Sequence, residues 1–159
     1  MAKPAFTEAE SCVRAMYFAE HLGAQIYIPH LSTRMALDEV RKWRCRYDKV
    51  FVETCPHYLL FDDSVYNSDS LEIAKYVMTP PLRTPDDQKH LWRALRYDDL
   101  QVIATDHCPF CMKEQKELGI GDFSKIPNGI GSVEHRMDLL YQGVVDGRIS
   151  RDEATPLAR

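Results

Sequence analysis

The sequence predicts an α/β protein, in which a parallel sheet carries helices in the order helix, strand, helix, strand, helix, strand, helix. Three observations predict this. Short β-type runs at residues 25–28, 49–53 and 100–104 alternate with segments whose apolar residues recur at helical spacing. Strands separated by helices need crossover connections, which makes the sheet parallel. Residues able to do chemistry fall just after each run: His30, then Cys55 with His57, then Asp106 with His107. In sheets of this kind the chemistry gathers at the carboxyl ends of the strands.

Taken in order, residues 7–22 place Cys12, Ala15, Met16, Ala19 and Leu22 on one helical face. Thr7 with Glu10 fits a capping box, and Gly23 fits a helix stop. After the first strand, Ser32 or Thr33 can cap a second helix with Met35, Leu37, Val40 and Trp43 as its apolar positions. The basic run Arg41-Lys42-Trp43-Arg44-Cys45-Arg46 reads as a solvated helix face. A long irregular excursion follows the second strand through residues 62–83, with a short helical piece near 71–76. Pro85, Asp86 and Asp87 then open a helix through Leu91, Trp92 and Leu95. The third strand leads into a loop rich in Gly, Lys and Pro at 108–131. A last helix is expected at 132–145, with Ser150 capping one more turn.

The 159 residues, 45% of them apolar, are enough for one domain with a core, and no linker or repeat divides them. A formal net charge of −4 offers nucleic acid and acidic membranes no broad attraction. No apolar run approaches a membrane span and the N-terminus lacks a signal-peptide core, so neither partner is expected. Five irregularly spaced cysteines argue against a disulfide scaffold and for a reducing cytoplasm.

Two constellations could carry chemistry. His30 and Asp106 offer a nitrogen and an oxygen donor suited to zinc, and a carboxylate beside a metal can also accept a proton from bound water. Cys108-Pro109-Phe110-Cys111 is the rival: a redox pair before a helical stretch at 112–118, half of a zinc clamp, or two reduced loop cysteines. Thr79-Pro80-Pro81-Leu82-Arg83 and Ile126-Pro127-Asn128-Gly129 read as rigid loops. Their prolines remove competing donors, so bare backbone groups can face a ligand.

Several segments together resemble the hydantoinase/dihydropyrimidinase branch of the amidohydrolases. They are Ile28-Pro29-His30-Leu31-Ser32, Glu53-Thr54-Cys55-Pro56-His57-Tyr58-Leu59 and the stretch from Ala74 to Arg83. They continue with Ala104-Thr105-Asp106-His107-Cys108-Pro109-Phe110, Gln115-Lys116-Glu117-Leu118-Gly119 and the stretch from Asp122 to Gly129, with Glu134 and Arg136 just beyond. The match runs in order over nearly the whole chain and accounts for Cys108 and Cys111 without redox chemistry.

The resemblance implies a partial (β/α)8 TIM barrel, with these strands as the sixth, seventh and eighth. It implies that His30 binds one of two zinc ions, and that Asp106 binds the other and serves as general base. Opening of the ring amide of a hydantoin or dihydropyrimidine would yield an N-carbamoyl amino acid, with the backbone at Thr79 and Asn128 holding the ring's imide or ureide edge. The intact enzyme would be a homo-oligomer.

The family's His-x-His on the first strand, carboxylated lysine on the fourth and histidine on the fifth have no counterparts here. Residues 1–159 are therefore expected to form a single fragment of the barrel with an incomplete, inactive site. Allantoinase and dihydroorotase are near relatives that share features with Cys55-Pro56-His57-Tyr58 and Asp106-His107, whereas Lys125-Ile126-Pro127-Asn128-Gly129 favours hydantoinase. The non-catalytic alternative is a collapsin-response-mediator-like protein that acts through oligomeric contacts; presence of both His30 and Asp106 speaks against it.

Overall fold

A computed structural model describes residues 3–68 and 70–157. Three parallel strands, β1 (Ile26–Ile28), β2 (Val50–Thr54) and β3 (Val102–Ile103), lie side by side in chain order. The register pairs Ile26 with Val50 and Ile28 with Val52, then Glu53 with Val102 and Thr54 with Ile103. Each crossover carries a helix, as the spacing predicts: α2 (Arg34–Arg44) between β1 and β2, and α4 (Pro85–Arg96) between β2 and β3. Helix α1 (Ala5–Leu22) precedes the sheet, and α5 (Arg136–Val145) and α6 (Arg151–Leu157) follow it.

Alternation along the strands decides which face is covered. Ile28, Val50 and Val52 are buried together with Leu37 and Val40 of α2 and Leu91 and Leu95 of α4 in one apolar core. Tyr27 and Phe51 point to the opposite face and are 49% and 42% exposed. The helices thus cover one face of the sheet among the described residues.

Local details depart from the sequence reading where a tertiary partner competes. Helix α1 starts at Ala5 behind Pro4, and the Thr7 hydroxyl donates to the Pro4 carbonyl instead of capping. Glu10 only faces Arg14 in an exposed pair at 3.6 Å. Thr33 caps α2 by accepting from the Ala36 N–H, and Thr84 with Asp87 forms a full capping box on α4. A helix not anticipated, α3 (Pro56–Leu60), follows β2 directly, with Pro56 at its first turn. The last long helix begins at Arg136, four residues beyond the predicted Ser132, because the Ser132 and Val133 amides are drawn to the His107 ring.

The basic run is not simply a solvated face. Arg41 donates to Asp99 at 2.6 and 2.9 Å. Arg44, half-buried, donates to the carbonyls of Val50 and Asp99 and to Gln101, at 2.6–2.9 Å. Lys42 and Arg46 are the solvated members, with Arg46 stacked 3.9 Å over the Trp43 ring. Two inward arginines therefore bolt α2 to the start of β2 and the entry of β3.

Candidate functional site

The site is assembled at the carboxyl ends of the three strands. Past β1, the Leu31 N–H donates to the Glu53 carbonyl at 2.8 Å, and the Thr54 hydroxyl donates to the Leu31 carbonyl at 2.8 Å. Past β3, the Ala104 N–H donates to the Thr54 carbonyl at 3.1 Å. These bonds bring His30 and Asp106 to the same edge of the sheet, on either side of the Cys55–His57 segment. Both residues leave the extended conformation abruptly, with φ of 41° and 44°. A non-glycine residue in the left-handed region is uncommon, and such residues concentrate at functional sites. Neither the His30 imidazole nor the Asp106 carboxylate makes a hydrogen bond or ion pair with a described residue.

His57 lies between them in electrostatic terms. It is 3% exposed, packs edge-on against Tyr58 with ring centroids 4.2 Å apart, and its Nδ1 has no partner among the described residues. Burial lowers its pKa to about 4; the Asp106 charge opposes that shift and His30 adds to it. Burial likewise pushes the Cys55 thiol up, reinforced by Glu53 and Asp106. His57 is thus neutral and Cys55 protonated at neutral pH. His107, the other histidine of the segment, is used structurally: its Nδ1 accepts from the Ser132 and Val133 amides at 3.1 and 3.2 Å.

A network that sequence reading missed holds the His30 turn. Glu8 of α1 accepts from the Ser32 and Thr33 amides at 2.8 and 3.1 Å and from both hydroxyls. Arg83 closes the network onto Glu8 at 3.0 Å and onto the Ser32 hydroxyl at 3.0 Å. Helical periodicity could not reveal Glu8, because its partners are brought to it only by folding.

The two loops expected to present backbone groups do meet. The Thr79 hydroxyl lies 3.0 Å from Asn128 Oδ1, and the Gly129 N–H donates to the Val77 carbonyl at 3.0 Å. The Thr79–Pro80 peptide is cis. Both loops border a cavity of about 550 Å³, which Tyr66, Met78 and Phe123 also line. Lys116, a second missed residue, sits beneath them. It is 2% exposed and its Nζ donates to the carbonyls of Val77, Pro127 and Gly129 at 2.9, 2.8 and 3.0 Å. Gly129 is obligatory here: at φ 156° an added Cβ would stand 2.2 Å from the Cys108 carbonyl oxygen.

His30 supplies nitrogen and Asp106 oxygen, and the orphaned, neutral His57 Nδ1 lies nearby. However, among the described residues no three His, Cys, Asp or Glu side chains converge as a metal-holding group. Two donors by themselves are too few to close a metal site. Cys108 and Cys111 are free and exposed, and the stretch after them forms turns and a 3-10 helix (Lys116–Gly119) rather than the α-helix a redox motif would open.

No protein-family model matches the sequence. Individual relatives do. The D-hydantoinase of Streptomyces coelicolor is 50% identical over 149 residues, which are 94% of this chain and 32% of that protein. A D-hydantoinase structure from a Bacillus species matches with a TM-score of 0.94 at 42% identity, over 98% of this chain and 34% of the other. The dihydropyrimidinase structure from Brevibacillus agri matches with a TM-score of 0.94 at 40% identity, over the same shares. The chain spans about a third of the length of the relatives it matches. Identity this high along nearly the whole chain, carried on a backbone that follows hydantoinase structures, makes this chain a member of the hydantoinase/dihydropyrimidinase family of amidohydrolases.

Proposed function

We propose that the chain is the part of a metal-dependent cyclic amidohydrolase that supplies the general base, two metal donors and the substrate-holding loops. The reaction is hydrolysis of the ring amide of a hydantoin or dihydropyrimidine to an N-carbamoyl amino acid. The observation that carries it is the placement of His30 and Asp106 at one sheet edge, both in left-handed backbone and both without a described partner.

In this reading residues 1–159 form one segment, β1 to β3 being strands six to eight of a (β/α)8 barrel. The half-exposed Tyr27 and Phe51 support the assignment, because in a barrel that face turns inward and is filled by side chains from the other strands. His30 and Asp106 would hold zinc together with ligands that the described residues do not supply. When bound, the metal would acidify water and polarise the ring carbonyl. Asp106 takes the proton released from the attacking water and delivers it to the departing ring nitrogen, so one carboxylate acts as base and then acid. The backbone N–H and carbonyl groups of Thr79 and Asn128 make no hydrogen bond among the described residues. They are free to receive the imide or ureide edge of the ring, with the neighbouring cavity taking the ring substituent.

The partner is thus a small cyclic amide. The exposed Tyr17 and Phe18 on α1 support self-association of the intact enzyme. Five free cysteines fit a reducing cytoplasm, and no described helix is long and apolar enough to cross a membrane.

The test is ring opening of hydantoin and dihydrouracil by the zinc-loaded enzyme that contains this segment, with Asp106→Asn and His30→Asn as variants. Asp106→Asn is expected to lower kcat by about 10³-fold or more, the scale of a lost base that also binds metal. His30→Asn is expected to lower the zinc content. Undiminished kcat in the first, or unchanged metal in the second, overturns the reading.

A further inference from the structure

Lys116 is among the most buried large side chains of the molecule, yet it carries a charge and opens a short 3-10 helix. A lysine rarely goes below the surface without partners that replace its water. Here the replacement is complete: three donors meet three carbonyl oxygens at 2.8–3.0 Å, and the ammonium also lies 5.6 Å from the centroid of the Phe110 ring. Burial pulls its pKa below the ordinary lysine value, with Cys108 opposing.

The identity of the three carbonyls matters. Pro127 and Gly129 flank Asn128, and Val77 stands two residues before Thr79. Val77 is gripped twice, by Lys116 and by the Gly129 N–H. The polar groups beside the two substrate-holding residues are therefore consumed by one ammonium, while the backbone groups of Thr79 and Asn128 themselves stay open.

We propose that Lys116 is a positioning residue that sets the spacing and facing of the Thr79 and Asn128 backbones, and so determines how the imide or ureide edge of the ring is held. This rests on the reading of those two residues as substrate-binding. A geometric clamp of this kind acts on binding and orientation rather than on the proton transfer at Asp106. Removing its charge leaves the Pro127 and Gly129 carbonyls without a donor and the Val77 carbonyl with the Gly129 N–H alone, and lets the loops separate. A lysine serving only overall stability would leave substrate affinity unchanged once the protein is folded.

The experiment compares the intact enzyme with Lys116→Met, which keeps the stem and removes the ammonium. Two readouts are taken under conditions where both proteins are folded: KM against kcat for dihydrouracil, and hydrogen exchange at the Gly129 amide. We expect KM to rise about tenfold or more with kcat changed by less than about threefold, as loss of uniform binding requires. Exchange at Gly129 should quicken by about tenfold while the β2 amides stay protected. Unchanged KM and unchanged Gly129 exchange overturn the proposal. Faster exchange with unchanged KM overturns the substrate role of the loops but not the clamp. If Lys116→Met does not fold, Lys116→Gln, which retains a shorter neutral donor, is read in the same way. An enzyme with no hydantoin- or dihydropyrimidine-opening activity before mutation fails the functional reading alone, and the exchange measurement still decides the clamp.

Discussion

At the scale of single residues, burial and charge assign the work. His57 is adjacent in electrostatic terms to both His30 and Asp106, yet burial holds it neutral with a pKa near 4, against 6.5 for an ordinary histidine. The sign of the consequence follows from linkage. Between pH 6.5 and 4 the unfolded chain binds a proton that the folded chain refuses, so stability falls as pH falls through that window and is untouched above it. For metal-free protein we expect a loss of about 3 kcal/mol across the window from this group. Denaturant midpoints at pH 7 and pH 4.5 check this, and His57→Phe, which keeps an aromatic ring against Tyr58, should lose less stability between them. Cys12, pushed up to about 12 by burial beside Glu8, is expected to resist alkylation in the folded protein while Cys108 and Cys111 react. Mass mapping after brief treatment with a thiol reagent decides that.

At the scale of elements, two positions show how helices are fixed to the sheet. Arg44 satisfies the carbonyls of Val50 and Asp99 at the C-terminal end of α2. Arg44→Met keeps the stem but strands those carbonyls, and is expected to cost about 2–3 kcal/mol in denaturant unfolding. Gly143 sits inside α5, where intrinsic propensity would reward alanine by about 1 kcal/mol. A Cβ there would stand 2.4 Å from the Trp92 ring, whose indole N–H is anchored to the Leu59 carbonyl at 2.9 Å. The ring cannot retreat without giving up that bond, so overpacking wins. Gly143→Ala should destabilise by about 1–3 kcal/mol, a sign opposite to propensity, measurable as a lowered Tm.

At the scale of the whole molecule, a three-stranded parallel sheet with helices on one face leaves Tyr27 and Phe51 exposed and the outer edge of β1 without a strand partner among the described residues. Parallel sheets are normally covered on both faces. Under the proposed function His30 and Asp106 would supply two metal donors, and among the described residues no third side chain converges with them. Protein of this chain alone, purified without chelators, is therefore expected to hold well under one zinc per chain by elemental analysis. A tightly held zinc that survives Cys108→Ala with Cys111→Ala would show that His30 and Asp106 find further ligands within these residues.

The alternation of β-type runs with helical periodicity was enough to order the elements, because period and chain direction are local properties and crossovers leave a parallel sheet as the outcome. Strand ends are local too, so His30 and Asp106 could be placed at the carboxyl edge; the prolines marked two rigid loops, and only the resemblance to hydantoinases singled out Thr79 and Asn128 within them. The clamp of Lys116 on three carbonyls, the Glu8–Arg83 network behind the His30 turn and the inward aim of Arg41 and Arg44 could not be read in advance. Each joins side chains to groups distant in sequence, and a charged residue in a linear string looks the same whether solvent or a carbonyl cage will receive it. Folding decides that, by the proximity it creates and the water it removes.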